Sequence, residues 1–306
     1  MKARAALGRG LAIAAIAAVG VPVGGTAQSG PADPAGPLFI VGGGRQPDAL
    51  VARFVELAGG PGMARIAVIP LASSVPDEAG LGKTEHFREF GAESFVLLTA
   101  PDQADDAAVL ERLDGATGIW FTGGDQSRIT AALDGTSLLG RIRARNAAGV
   151  AIGGTSAGAA IMSPLMITGN QALPGEDTLG YHGDTFARIA RNVIEVVPGF
   201  GLLPGVIVDQ HFVRRERHNR LLSAVLERPD HIGVGIDEST ALEATPGGTW
   251  RVHGASVVVI YDARGAIVSD EGAPALGAGG IVMHLLPAGS TYDPRSGTLN
   301  IETRAP

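Results

Sequence analysis

Short, uninterrupted apolar runs recur through the first half of the sequence, at Leu38 to Val41, Arg65 to Pro70, Ser94 to Leu98, Gly118 to Phe121 and Val150 to Ile152. Runs of this length without polar alternation belong to strands covered on both faces, the usual condition of a parallel sheet. Helical stretches lie between them, near Pro47 to Leu57 and around Glu85 and Ala107. Parallel neighbours need crossover connections of this kind. The pattern predicts an α/β fold of three layers, α/β/α, around a mostly parallel central sheet. Gly205 to Asp209 and Ile232 to Ile236 continue the series as a sixth and a seventh strand.

Beyond Ser239 the pattern changes. Ala241 to Ala244, Thr249 to His253, Ser256 to Tyr261 and Ile281 to Leu286 read as short strands separated by Gly/Pro turns, with a loop at Gly277 to Gly280. This predicts a C-terminal antiparallel strand extension, β-rich over 245–306, of the same domain. Its exposed strand edges make a homodimer a candidate assembly. The domain is expected to cover 38–306, preceded by a Pro/Gly-rich linker over 28–37.

The first 27 residues read as a targeting segment. Lys2, Arg4 and Arg9 are followed by the 13-residue stretch Leu11 to Val23 and by the small residues Gly25-Thr26-Ala27. That order is a signal peptide, with cleavage expected after Ala27. The apolar stretch falls short of the ~20 residues that a membrane span needs. Its removal takes away three basic residues and shifts the formal net charge from −7 to −10. A protein so acidic is a poor partner for nucleic acid or anionic lipid. The expected product is soluble and secreted or periplasmic, with no membrane association after processing. The sequence contains no cysteine, which excludes disulfides, thiolate metal sites, iron–sulfur clusters and a cysteine nucleophile.

One strand end carries chemistry. Val150 to Ile152 runs into Gly153-Gly154-Thr155-Ser156-Ala157-Gly158-Ala159, with Gly154 and Gly158 flanking Ser156 in G-x-S-x-G spacing. A strand feeding such a turn presents a nucleophilic serine, and the same residues also suit an ordinary glycine bend before a helix. A serine nucleophile needs a base. His211, at a strand end within Val208-Asp209-Gln210-His211-Phe212, is the preferred one. His182 sits in a loop, His86, His218 and His231 fall on solvated helix faces or loops, and His253 and His284 are embedded in strand patterns. The base in turn needs an ionised acceptor to fix its tautomer. Asp237 and Glu238 both offer one, and they point to opposite sides if the strand continues.

Four segments together resemble the cyanophycinase family of serine peptidases, family S51, relatives of aspartyl dipeptidases. They are Phe121-Thr122-Gly123-Gly124-Asp125-Gln126, Gly153 to Ala159, Asp209-Gln210-His211-Phe212 with the arginines after it, and Gly235 to Leu242. The resemblance implies a class I glutamine amidotransferase-like, flavodoxin-like architecture. It implies Ser156 as nucleophile, His211 as general base and Glu238 as the orienting acid. Gly124 or Asp125, together with Ala157, take the places of oxyanion-hole donors. Gln126, Asp209, Gln210, Arg215, Arg217 and Arg220 match the polar lining that holds a branched β-aspartyl-arginine substrate. The family releases β-Asp-Arg dipeptides from multi-L-arginyl-poly-L-aspartate, cyanophycin, without metal or cofactor.

The residues support part of this on their own. Free carboxylates on a substrate call for arginine forks, and Arg214, Arg215, Arg217 and Arg220 fall within seven residues. Helical spacing would put Arg217 and Arg220 on neighbouring faces with Arg214 one turn below. Asp125, Asp209 and Glu176 are candidate partners for a substrate guanidinium. Pro164 to Asp184 lengthens the path from nucleophile to base and reads as a lid or a wall of the cleft. Three other readings compete: an isoaspartyl or aspartyl dipeptidase of the same family, an α/β-hydrolase-type esterase, and a non-catalytic binding protein on the same fold. The esterase has the order Ser, acid, His and would pair Asp237 with His253 or His284.

Overall fold

The apolar runs of the first half are strands, and their pairing follows from where each one is covered. A computed structural model describes residues 31–171, 188–270, 272–273 and 276–302. The signal segment, His182, Glu176 and Asp177 lie outside the described residues. In chain order the first elements are β1 (Leu38–Val41), α1 (Asp48–Leu57), β2 (Arg65–Ile69), α2 (Pro76–Arg88) and β3 (Glu93–Val96). Then come α3 (Ala107–Asp114), β4 (Gly118–Phe121), α4 (Gln126–Leu133), α5 (Ser137–Ala147), β5 (Ala151–Thr155) and α6 (Ala157–Ala160). The second half runs β6 (Leu165–Gln171), β7 (Ile194–Pro198), β8 (Val206–Gln210), α7 (His218–Glu227), β9 (Ile232–Ile236) and β10 (Thr240–Ala244). It closes with β11 (Trp250–Gly254), β12 (Val257–Asp262), β13 (Ile267–Val268), β14 (Ala278–Gly279), β15 (Val282–Pro287), β16 (Thr291–Tyr292) and β17 (Leu299–Asn300).

The fold is mixed α/β around a large central sheet of order β17-β16-β11-β10-β1-β5-β4-β2-β3. The run β1-β5-β4-β2-β3 is parallel throughout, and β10, β11, β16 and β17 continue it antiparallel. The expected sixth and seventh strands are β8 and β9, and they do not join this sheet. They pair in parallel with each other inside a second sheet of order β15-β12-β9-β8. The reason lies at β1, whose two edges are already taken by β5 and β10. The antiparallel extension therefore serves both sheets, β10 and β11 completing the large one, β12 and β15 the small one. The loop expected at Gly277 to Gly280 contains β14, which pairs with β13.

Side-chain alternation shows how the small sheet is seated. Val206, Val208, Ile232, Val234 and Ile236 belong to the core shared with the large sheet, whereas Ile207 packs with Leu221 and Val225 of α7. On β9 the residues between the bulky ones are Gly233 and Gly235. A Cβ at Gly233 would lie 2.5 Å from Val225, and one at Gly235 would lie 2.3 Å from the Phe212 ring. These glycines let α7 and Phe212 sit directly on the strand.

The opposite face of the large sheet holds an aromatic cluster. Phe54 meets Trp120 edge-on at 4.8 Å between centroids, and Phe87 meets it at 5.3 Å. Such pairs contribute about 0.5–1.5 kcal/mol each beyond their burial. Gly153 on β5 passes beneath them, since a Cβ there would lie 2.4 Å from Trp120. The segment read as a linker is packed from its described start, with Pro31, Pro34 and Gly36 buried. A Cβ at Gly36 would fall 2.0 Å from the Asn146 carbonyl oxygen.

Gly158 sits in α6 where a Cβ would lie 2.5 Å from the Phe121 carbonyl oxygen. Backbone cannot swing away as a side chain can, so overpacking here costs about 1–3 kcal/mol. Gly158→Ala should lower the thermal midpoint by about 2–4 °C for each kcal/mol lost. A melting curve unchanged from wild type would show that the turn relaxes freely.

Candidate active site

The site gathers residues just past the carboxyl ends of five strands, where open α/β sheets bind their ligands. On the large sheet Val41 pairs with Thr155, so Gly42 and Ser156 leave the same rung side by side. On the small sheet Gln210 pairs with Ile236, so His211 comes one residue and Glu238 two residues past the same rung. Ser156 has φ 54° and ψ −109°, a conformation that a serine adopts only under constraint. Its N–H donates to the Val41 carbonyl at 3.0 Å, and its carbonyl accepts from Ala159 at 2.9 Å and Ala160 at 3.1 Å. The hydroxyl is thus held out between β1 and α6.

His211 is also at positive φ, 50°, with its N–H donating to the Gly42 carbonyl at 2.7 Å. Its Nε2 lies 2.9 Å from Ser156 Oγ and its Nδ1 lies 2.6 Å from Glu238 Oε1. A proton on Nδ1, donated to the carboxylate, leaves Nε2 as the acceptor for the serine hydroxyl. Burial pushes the His211 pKa below the ordinary 6.5, and the hydrogen bond that His211 donates to Glu238 works against that shift. The imidazole is therefore neutral at pH 7. Asp237, the other candidate acid, faces away: its Oδ1 accepts from the Arg214 N–H at 2.9 Å and its Oδ2 from Ser256 Oγ at 2.7 Å.

The support beneath these groups is the loop that leaves β1. Gly42-Gly43-Gly44, directly after β1, forms the floor of the site. A Cβ at Gly43 would lie 2.3 Å from His211 Cε1, and one at Gly44 would lie 2.8 Å from Glu238 Oε2. Ser239 clasps the same loop, its N–H donating to the Gly43 carbonyl at 2.9 Å and its Oγ to the Arg45 carbonyl at 2.7 Å. Gln46 is held in turn by Lys83, whose Nζ donates to Oε1 at 2.6 Å from between the Phe87 and Trp120 rings. Burial lowers the Lys83 pKa to about 7. Three glycines in a row at the carboxyl end of a buried strand were the available signal.

The expected oxyanion donors separate. The N–H groups of Gly124 and Ala157 have no acceptor among the described residues, whereas Asp125 N–H donates to the Ala72 carbonyl at 2.9 Å. Asp125 is therefore not an oxyanion donor. Its carboxylate caps α4 by accepting from Ser127 N–H at 2.8 Å.

The polar lining also divides. A cavity of about 440 Å³ opens beside Ser156 and includes Gln126, Gln210, Arg215, Arg217 and Arg220, together with Ser127, Thr168, Gly169 and Asn170. Thr168, Gly169 and Asn170 lie on β6, in the stretch read as a lid or wall of the cleft, and Ser127 follows Gln126 on α4. Arg215 is exposed on the cavity wall. Asp209 and Arg220 are each 1% exposed and form a two-pronged ion pair, with Arg220 Nε donating to Oδ2 at 2.7 Å and Nη2 to Oδ1. The carboxylate of Asp209 is consumed in that pair and is not offered to a substrate. Arg217 Nη1 donates to the Gln210 carbonyl at 2.7 Å and to Gln210 Oε1 at 2.8 Å. Gln126 Nε2 donates to the Ile167 and Thr168 carbonyls at 2.9 and 2.5 Å, which ties α4 to β6. Arg214 to Arg217 precede α7 in an irregular turn with Glu216 at φ 53°, so the expected helical stacking of Arg214 does not occur.

Three of the other described histidines are committed elsewhere. His218, expected in solvent, has Nδ1 at 2.7 Å from the Tyr261 hydroxyl and its ring against Phe212. His253 Nε2 pairs with Glu243 Oε2 at 2.8 Å, and His284 stacks on Tyr292. Neither forms a constellation with Asp237 and Ser156.

Residues 38–250 match the sequence profile of peptidase family S51. The chain belongs to peptidase family S51. It is a serine-type peptidase, similar to a cyanophycinase of Synechococcus elongatus at 38% identity over 263 residues, 83% of this chain and 76% of that one. A cyanophycinase of Geminocystis herdmanii is 36% identical over 251 residues, 80% of this chain and 87% of that one. In three dimensions the fold is similar to that of a peptidase from an acI-B1 actinobacterium, with TM-score 0.61, 22% identity and coverage of 84% and 96% of the two chains. The S51 match ends at residue 250, before β12 and β15. Yet β12 pairs with β9 over Ile232 to Ile236, and Val257 accepts the Asp237 N–H at 3.2 Å.

The lowered pKa gives a direct check. In a proton NMR titration His211 should lose its charge at a midpoint below 6.5, because its buried ring favours the neutral form. A midpoint above that value would mean that Glu238 outweighs burial.

Proposed function

We propose that this S51 peptidase hydrolyses cyanophycin, multi-L-arginyl-poly-L-aspartate, to β-Asp-Arg dipeptides through a Ser156-His211-Glu238 triad. The observation that carries the reading is the continuous relay from Ser156 Oγ to His211 Nε2 at 2.9 Å and from His211 Nδ1 to Glu238 Oε1 at 2.6 Å. The similarity to cyanophycinases over most of the chain supplies the substrate class.

In this reading Ser156 Oγ attacks the scissile carbonyl carbon while its proton passes to His211 Nε2. The imidazolium is stabilised by the Glu238 carboxylate, and the negative oxygen of the tetrahedral intermediate is received by the Gly124 and Ala157 N–H groups. Collapse breaks the C–N bond, and His211 returns the proton to the leaving amine. Water, deprotonated by the same imidazole, then cleaves the acyl-enzyme. Arg215 on the cavity wall suits a free carboxylate of the substrate, since a guanidinium binds carboxylate in a bidentate fork. The basic and apolar N-terminus supports delivery to the periplasm or the medium, where an external polymer would be met.

Incubation of the processed protein with insoluble cyanophycin should release a product with the mass of β-Asp-Arg. Ser156→Ala and His211→Ala should lower kcat by at least about 10⁴-fold, and Glu238→Gln by about 10³- to 10⁴-fold. Turnover that survives in His211→Ala would overturn the triad. Turnover of short isoaspartyl peptides with none of the polymer would move the chain to the dipeptidase reading.

A further inference from the structure

The catalytic cavity does not end at Asn170. A second cavity of about 630 Å³ continues from it, sharing Ser127, Thr168 and Asn170 as a common wall. It is a groove between α4 and the β6/β7 hairpin. Ser127, Thr130, Ala131 and Asp134 line it from the helix side, at positions i, i+3, i+4 and i+7 of one helical face. That face runs for about 10 Å at 1.5 Å per residue, the length of roughly three residues of extended chain. The hairpin contributes Glu195, Val197 and Pro198.

The two cavities differ in charge. Among the described residues, three arginines and the single acid Asp125 line the one beside Ser156, and the groove is lined by two acids and no basic residue. Glu195 is held in place rather than loose. Its Oε2 accepts from Thr168 Oγ1 at 2.7 Å and from Asn170 Nδ2 at 2.8 Å, and both donors stand on the shared wall. The same two bonds keep its carboxyl ionised, below the usual carboxylate range, and its Oε1 has no donor among the described residues. Asp134 is the C-cap of α4, where a carboxylate meets the negative end of the helix dipole. That placement is unfavourable for the helix alone, and a bound cation relieves it. Arg143, which reaches this region, donates to the Phe200 carbonyl at 3.0 and 3.2 Å.

We propose that this groove is a subsite for a cationic side chain with an apolar stem, of the guanidinium type, carried by the substrate unit next to the one being cleaved. Glu195 receives the charge, Asp134 reinforces it at the far end, and Ala131, Val197 and Pro198 flank the stem. Recognition is then bipolar: carboxylate at the arginine-lined cavity, cation in the groove. The inference rests on Ser156 marking the scissile bond.

Two short oligomers of the proposed substrate test it, one carrying arginine throughout and one with the neutral isostere citrulline on the unit that is not cleaved. The wild-type enzyme should favour the arginine oligomer about tenfold in kcat/KM, with the difference in KM. Glu195→Gln should erase that preference, bringing the two oligomers to the same kcat/KM. Asp134→Asn should weaken it, and Glu195→Lys should invert it. The preference should shrink as salt is raised, because the groove is open to solvent. Equal turnover of both oligomers by wild type, or a preference kept by Glu195→Gln, would overturn the subsite. Calorimetric binding of both oligomers to the Ser156→Ala protein reads the groove without chemistry. If wild type cleaves neither, the hydrolase reading fails, and the subsite stands or falls on whether Ser156→Ala binds the arginine oligomer more tightly and loses that discrimination with Glu195→Gln.

Discussion

The imidazole of His211 rests on bare backbone, and the rest of the site is arranged around that contact. With no Cβ on Gly43 or Gly44, the ring and the Glu238 carboxyl approach the β1 loop at distances that any other residue would block. The loop in turn is anchored to both partners, through the Gly42 carbonyl to His211 and through the Gly43 carbonyl to Ser239. Ser156, His211 and Ser239 all have positive φ, which glycine would adopt more cheaply. Such strain persists only where neighbouring structure over-determines it, and here hydrogen bonds from three strand ends do so.

This arrangement places the proposed triad at a seam. β9 belongs to the small sheet and β10 to the large one, so the segment from Asp237 to Ser239 is where the chain steps between them. Ser156 is delivered by one sheet and His211 by the other. The 2.9 Å contact between their side chains therefore measures how the two sheets dock as much as it measures local geometry. The shared core beneath, with Val208, Val234 and Ile236 packed with Ile40 and Ile152 in one apolar cluster, makes that docking stiff.

Much of this was legible in the residues, and the limits have physical causes. Apolar runs identified β1, β2, β3, β4 and β5 because burial on both faces removes polar residues from the sequence itself. The turn at Ser156 was legible because tight backbone demands glycine at 154 and 158, where added Cβ atoms would meet the Gly158 and Phe121 carbonyl oxygens. The second sheet was not legible, since a run such as Ile232 to Ile236 says that it is buried and not which edge it joins. Its alternating glycines, Gly233 and Gly235, are where Val225 of α7 and Phe212 come close. The arginines misled in part for a similar reason. Arg220 has the same composition signal whether its fork meets a substrate carboxylate or, as here, Asp209 on the neighbouring strand. The groove along α4 was invisible because β6 and β7 are far apart in sequence from the helix they face.

The family match ends at residue 250, but the strand that presents Glu238 leans on β12, which begins at Val257. The proposed triad thus sits within the span of the family profile, while part of its alignment is set by strands beyond that span. A displacement of about 1 Å at reacting groups is enough to change a rate by 10²-fold. Substitution in β12 and β15 is therefore a route by which the speed of the proposed triad can change, through strands that are not among the described lining of the cavity beside Ser156. Turnover then becomes a property of the scaffold as well, open to adjustment while the three proposed catalytic residues stay fixed.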